Sequence, residues 1–328
     1  MMDTKINSMT WVKVPAKSYM LISESQKQSH CQLEISVKFD GLEVYESGDP
    51  HKFAPLRILS LDIECSIRPL YPGNPNYKDN KMSFPNHRNL EDDVIQVANM
   101  VTHYGDNEPF VRNIFTLKSC ASIAGAETFS FDSETELLNS WQKFIMDVDP
   151  DLIIGYNIGR FDLPYLLNRG KLRRIAGFGE LGRMKGISVK IDDILGQRDW
   201  KTTPRIEGRI LLDMLYFVRK EYPELKGPGA TTLGAVSNHF LGQAKEDVSV
   251  HMMGRLQNGD ENSRRDLAIY CLKDAYLPQQ LMDKLDGLKR WIKISRELWV
   301  PFNELLYLDD PTKKSLKERN MRGIYPDN

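Results

Sequence analysis

The stretch LRILSLDIECSI, residues 56–67, narrows the possible folds more than any other part of the chain. Ile58, Leu59, Leu61, Ile63 and Cys65 form a short apolar run of the kind found in buried strands, yet Asp62 and Glu64 are set into it. Side chains two apart on a strand point to one face, so the two carboxylates project together. Adjacent carboxylates in a poorly solvated place repel, and one of them would normally hold a proton. A hard divalent cation resolves the conflict by giving both a partner, which is how magnesium sites are built. Read alone, the same Asp-x-Glu also fits a solvated strand end.

The surrounding elements suit a mixed α/β sheet. Residues 11–46 alternate in a strand-like way and form a β-rich lead-in, followed by a turn-rich linker, ESGDPHKFAP. After the acid-bearing strand, PLYPGNPNYKDNKMSFPNHRN reads as an exposed loop. DDVIQVANMVTHYG and EPFVRNIFTL read as two strands joined by a tight turn at Gly105, Asp106 and Asn107. Ser133 with Glu136 forms a capping box ahead of a helix whose apolar residues include Leu137, Leu138, Trp141 and Ile145. The buried strand DLIIGYN and a helix with Pro164 in its first turn come next. RIEGRILLDMLYFVRKEYP passes from strand to helix, and TTLGAVSNHFLG is a short helix ending at Gly242. The helical stretch from Asn262 to Leu298 is expected to kink or restart at Pro278.

Two further segments carry chemistry. Asn157 follows a buried strand, with Phe161 and Asp162 at the next helix start, where an acid commonly caps the helix. In DLAIYCLKDAYLP, Tyr270 and Asp274 are four apart and share a helix face. Each pattern alone is ordinary. Together and in order, LDIEC, NIGRFD and YCLKDAYLP resemble the three proofreading-exonuclease motifs of family B DNA polymerases, in the DEDD superfamily with tyrosine in the third motif. WVKVPAKSYML, HFLGQAKEDV and LQNG add to the likeness, which covers residues 10–306 and is nearest to eukaryotic replicative catalytic subunits.

The resemblance implies a ribonuclease-H-like fold, a mixed five-stranded sheet with flanking helices. It implies that Asp62, Glu64, Asp162 and Asp274 hold two Mg²⁺ ions, with Mn²⁺ able to substitute. It gives Tyr270 the part of orienting the attacking water, since an ordinary tyrosine pKa near 10 argues against a general base. Asn157 and Phe161 would position the 3′ end of single-stranded or frayed DNA, with Arg160 and Lys273 as nearby cations. Arg169, Lys171, Arg173 and Arg174 offer further charge, or simply solvated helix faces. The reaction implied is release of 5′-mononucleotides from a 3′ end in DNA replication, in the nucleus.

The expected organisation is a β-rich segment at 1–52, an exonuclease domain at 53–306 and a polar, disordered tail at 307–328, without palm, fingers or thumb. HYGDNEPF and RPLYPGNP mimic polymerase motifs but lack the required aspartates in register. Residues 186–212 occupy the place of a strand-separating hairpin in the family. With 44 basic and 45 acidic residues the net charge is -1, which excludes a chain-wide basic footprint for nucleic acid and leaves a local one. The four scattered cysteines suit reduced thiols better than disulfides or zinc. No apolar run approaches the ~20 residues needed to span a bilayer, so a soluble protein with no membrane partner is expected. A non-catalytic DNA-binding or assembly fragment of a polymerase, with accessory subunits as partners, is the alternative; a free-standing ribonuclease D-type enzyme fits the β-rich lead-in less well.

Overall fold

A computed structural model describes residues 6–45, 53–68, 84–190, 204–243 and 250–305, with positions 308, 312, 315 and 316 beyond them. The linker residues 46–52, the loop residues 69–83, residues 191–203 of the hairpin segment and most of the 307–328 tail lie outside the described residues. Packing divides the chain into two units, one of Met1–Ala54, Arg183–Lys185 and Leu285–Asn328, the other of Pro55–Gly182 and Gly186–Lys284.

The first unit contains the β-rich lead-in. Strand β1 (Val12–Lys13) pairs antiparallel with β4 (Glu43–Val44), and β2 (Tyr19–Leu21) with β3 (Ile35–Val37). The Glu34 carboxylate accepts from Ser29 N–H and from the Ser29 hydroxyl, closing the loop before β3.

The second unit is built on a six-stranded sheet in the order β10-β9-β5-β6-β7-β8. Strands β5 (Arg57–Cys65), β6 (Val94–His103) and β7 (Val111–Leu117) run antiparallel in succession. β8 (Glu127–Phe131) is parallel to β7, while β9 (Leu152–Gly155) is parallel to both β5 and β10 (Ile210–Asp213). The sheet therefore has one strand more than the five implied by resemblance. The extra strand sits at an edge, where Glu127, Phe129 and Ser130 are exposed and only the short stretch 129–131 alternates, too little to mark a strand in the sequence.

Helix α1 (Glu134–Val148) begins with the expected capping box, Ser133 Oγ accepting from Glu136 N–H and Glu136 accepting from Ser133 N–H. Helices α2 (Asp162–Leu172), α3 (Met214–Glu221), α4 (Leu233–Leu241), α5 (Val250–Asn258) and α6 (Glu261–Lys284) complete the unit. Alternation along β5 sorts its side chains. Leu59, Leu61, Ile63 and Cys65 join the core formed with α1 and α2, through Leu137, Trp141, Leu163 and Leu166. The opposite face carries Asp62 and Glu64. There Ala98, paired with Asp62, packs with Ala268, Cys271 and Ala275 of α6.

Pro278 lies inside α6 and does not end it. The helix breaks instead at Leu285 and Asp286, and α7 (Gly287–Leu298) and the short α8 (Phe302–Leu305) belong to the first unit, where the Arg296 guanidinium donates to Ser8 and Met9 carbonyls. Residues 285–305 thus belong to the unit that contains the N-terminal segment. Pro278 survives in the helix because Leu277, Leu281 and Met282 around it are buried, and packing outweighs the one backbone hydrogen bond it removes.

Candidate functional site

The middle of the sheet supplies the site's floor. On β5, Asp62 is partly buried and Glu64 only 8% exposed, both on the face covered by α6. Gln96, directly opposite Glu64 on β6, donates through Nε2 to the Arg264 carbonyl, which ties the start of α6 to this point of the sheet. Two turns further along α6, Cys271 brings its thiol to 3.7 Å from Asp62 Oδ2. Ligand-type atoms of Asp62, Glu64 and Cys271 all lie within 4.8 Å of one another.

Asp162 enters from the other side of β5. The pairing of β9 with β5 stops at Ser60. Beyond that point the Ile63 N–H donates to Asp162 Oδ1 at 3.2 Å, so the carboxylate takes over where the neighbouring strand leaves off. Gly155, the last residue of β9, makes the approach possible: a Cβ there would stand 2.9 Å from the Leu61 carbonyl oxygen. Asp162 is 3% exposed and Asp274 4%. Burial pushes the Asp162 carboxyl up to about 7, with backbone N–H groups of Asp162 and Ile63 pulling the other way and the charges of Asp213 and Asp274 adding to the rise.

Electrostatic effects connect the rest of the set. The Cys271 thiol is raised well above its ordinary value, first by burial and then by Asp62, Glu64 and Asp274. The Cys65 thiol, on the far face of β5, is raised by burial and by Glu64 and Asp162. Asp62, Glu64 and Asp274 thus all act on the Cys271 thiol, and Asp274 acts on Asp162. Tyr270 stands one turn before Asp274 on α6, half-buried against the hydrophobic core, and Lys273 is half-buried beside Asp274.

Asn157, Arg160 and Phe161 lie together in a cleft of about 620 Å³. Phe84, Tyr156, Arg219 and Thr232 also line it. The Phe84 and Phe161 rings meet edge to face with centroids 5.4 Å apart, and Phe84 is 74% exposed. Tyr156 donates its hydroxyl to the Thr231 carbonyl, and burial raises its pKa, so it stays a neutral donor. Nothing in FPNHRN or TTLGAV distinguishes Phe84 or Thr232 from ordinary loop and cap residues, which is why sequence reasoning did not single them out.

Two of the cations anticipated near the site have another occupation. Arg169 is fully buried and donates to Glu134 at 2.7 Å and to Asp93 at 2.6 Å, and Arg173 reaches the same two acids. Glu134 accepts as well from Val94 N–H at the start of β6. Burial alone would raise Glu134; the Arg169 and Arg173 hydrogen bonds outweigh it and hold the carboxyl below its usual range. A buried guanidinium needs such partners, so these arginines lock α2 to α1 and β6.

Four carboxylates in a space this poor in water suit a small, hard cation. Their oxygen donors match magnesium or manganese, and burial, which raises the Asp162 carboxyl, makes an ionised carboxylate there costly without a partner. Asp62 and Glu64 are the carboxylates of the cluster that could hold it; the buried thiol of Cys271 is a poor ligand for either ion.

Comparison with known proteins bears on this arrangement. Residues 1–226 match the family described as DNA polymerase family B, exonuclease domain. The DNA polymerase delta catalytic subunit of Oryza sativa subsp. japonica is 42% identical over 313 residues, which are 93% of this chain and 26% of the rice protein. The subunit of the same description from Schizosaccharomyces pombe is 43% identical, again over 93% of this chain and 27% of the yeast protein. That of Drosophila melanogaster is 40% identical over 316 residues. The chain spans about a quarter of the length of the curated relatives it matches.

Proposed function

Because the chain belongs to the exonuclease-domain family of family B DNA polymerases, we propose that it is a Mg²⁺-dependent 3′–5′ DNA exonuclease, the proofreading module of a replicative polymerase of the delta type. The observation that carries this reading is the convergence of Asp62, Glu64 and Asp162 on one end of β5, with Asp274 close enough to raise Asp162.

The reaction is hydrolysis of the last phosphodiester. A water oxygen bonds to phosphorus, the bond from phosphorus to the 3′-oxygen of the preceding nucleotide breaks, that oxygen takes a proton, and a 5′-mononucleotide leaves. Divalent cations, when bound by the four carboxylates, supply Lewis-acid charge and lower the pKa of water. The protein's own groups do the rest. Glu64 contacts the attacking water or the terminal sugar, and the Tyr270 hydroxyl hydrogen-bonds and orients the water. The cleft at Asn157 and Phe161 receives the terminal nucleotide. Phe161 with Phe84 offers aromatic faces for an unpaired base, a contact that tolerates any sequence. Arg160 and Arg219, both in that cleft, face the backbone phosphates of a single strand. Lys273 adds positive charge at the third motif. A duplex end must fray before it can enter such a cleft, which favours mismatched termini.

We assign the reaction to DNA replication in the nucleus, with polymerase accessory subunits as partners, a reading supported by the likeness to DNA polymerase delta catalytic subunits. Among the described residues no helix is long and apolar enough to cross a membrane. The organisation we favour keeps a β-rich segment at 1–52 and an exonuclease domain from residue 53, with a polar tail after 306.

The test is direct. Single-stranded DNA labelled near its 3′ end, incubated with the chain and Mg²⁺, should lose mononucleotides from that end. Asp62→Ala combined with Glu64→Ala should reduce the rate at least about 10³-fold, the order seen when catalytic electrostatics are removed. Undiminished hydrolysis by the double variant sinks the assigned site. A non-catalytic assembly module is the second reading, favoured by the net charge of -1. Tight DNA binding without turnover in Mg²⁺ or Mn²⁺ would select it.

A further inference from the structure

Asp213 closes β10 and lies opposite Gly155 in the parallel pairing with β9. Its side chain is buried, at 6% exposure. Part of its work is local: Oδ1 accepts from Leu215 N–H at 2.9 Å and Tyr216 N–H at 3.4 Å, which caps α3. A cap needs no more than one accepting oxygen, and Ser, Thr or Asn serve equally well. Asp213 does more than cap. Oδ1 also accepts from Asn157 N–H at 3.0 Å, and Oδ2 from Gly159 N–H at 3.1 Å.

Those two bonds hold a loop that would not keep its shape unaided. Asn157 has φ 67, in the left-handed region that a non-glycine residue adopts at a cost. Its carbonyl accepts from Arg160 and Phe161 N–H groups, which turns the chain into α2. The first residue of α2 is Asp162, whose carboxylate must meet Ile63 N–H on β5. The path from the Asp213 oxygens to the Asp162 carboxylate is therefore five residues of backbone, fixed at Asn157 and Gly159.

We propose that Asp213 is a positioning residue for the carboxylate cluster: by gripping the Asn157 and Gly159 N–H groups it sets the loop that delivers Asp162 to β5, and so sets the affinity of the site for its divalent cation. This rests on the metal-dependent nuclease reading given above. Two oxygens that both accept are required. In Asp213→Asn one of them becomes an NH₂ group, a donor facing a donor, and that arm opens.

The experiment measures Mn²⁺ binding to the whole chain without DNA, by electron paramagnetic resonance, for wild type, Asp213→Asn and Ser133→Ala. Asp213→Asn should bind Mn²⁺ about 10-fold or more weakly, as groups supporting metal ligands do when changed. Ser133→Ala, which loses the cap of α1 away from the site, should lose thermal stability and keep wild-type affinity. Hydrogen exchange on the wild-type protein needs no variant: Asn157 and Gly159 amides should be protected as well as that of Leu215. Equal Mn²⁺ affinity in wild type and Asp213→Asn overturns the proposal, as do Asn157 and Gly159 amides that exchange at open-loop rates. A wild-type chain that binds no Mn²⁺ removes the metal reading together with it, a result distinct from equal affinity.

Discussion

A carboxyl pushed up to about 7 by burial makes Asp162 a sensor of what else shares its surroundings. In the unfolded chain it ionises near 3.8, the ordinary value; in the metal-free folded protein it resists until about 7. Below the lower value it is neutral in both states and costs nothing. As pH rises through the interval the unfolded chain gains from ionisation first, so the folded state loses relative stability until the upper value is passed. Asp162→Asn cannot ionise and keeps the oxygen that meets Ile63 N–H. The difference in urea-unfolding free energy between wild type and this variant, measured without metal, should therefore shift against wild type between pH about 4 and about 7. A difference independent of pH would mean that Asp162 is better solvated than its 3% exposure indicates. At this scale the acids stand out in the sequence and the residues that support them do not. Asp62, Glu64, Asp162, Tyr270 and Asp274 stand out through motif order, while Asp213 carries only a helix-cap signal in LLDML, with its bonds to Asn157 and Gly159 spanning 56 and 54 residues of sequence.

Helices and strands report a different division. The capping box of α1, the Gly242 end of α4 and the β6–β7 turn with Gly105 at φ 98 all appear where local chemistry put them, because each depends on neighbours a few residues away. Arg169 and Arg173 read as charge near the site or as solvated cations on α2, yet they turn inward, since Glu134 and Asp93 wait there from distant segments. Gly170 on the same helix shows packing overruling propensity. Replacing a helical glycine with alanine usually stabilises by about 1 kcal/mol. Here a Cβ would stand 1.9 Å from the Phe178 ring. Gly170→Ala should therefore destabilise by about 1–3 kcal/mol, the usual cost of overpacking, in equilibrium urea unfolding. An increase in stability would show that the Phe178 ring swings aside freely.

The whole molecule consists of two packing units of unequal size, so unfolding need not be a single transition. The carboxylate cluster belongs to the unit built on the six-stranded sheet. A cation bound only to the folded form of that unit stabilises it by about 2.7 kcal/mol at a hundred times its dissociation constant. Adding Mg²⁺ or Mn²⁺ should raise the melting temperature of the transition of that unit. The rise should vanish in the variant carrying Asp62→Ala and Glu64→Ala. A rise preserved in that double variant would place the ion elsewhere. Element types, their order and the acids of the three motifs were already legible in the residues, because hydrophobic period, caps and turns act over a few positions of chain. The edge strand β8, the continuation of α6 through Pro278, the inward arginines and the grip of Asp213 on the Asn157 loop were settled only by folding. Each depends on what covers a surface or faces a charge from far along the chain, and such partners exist only once the sheet has brought them together.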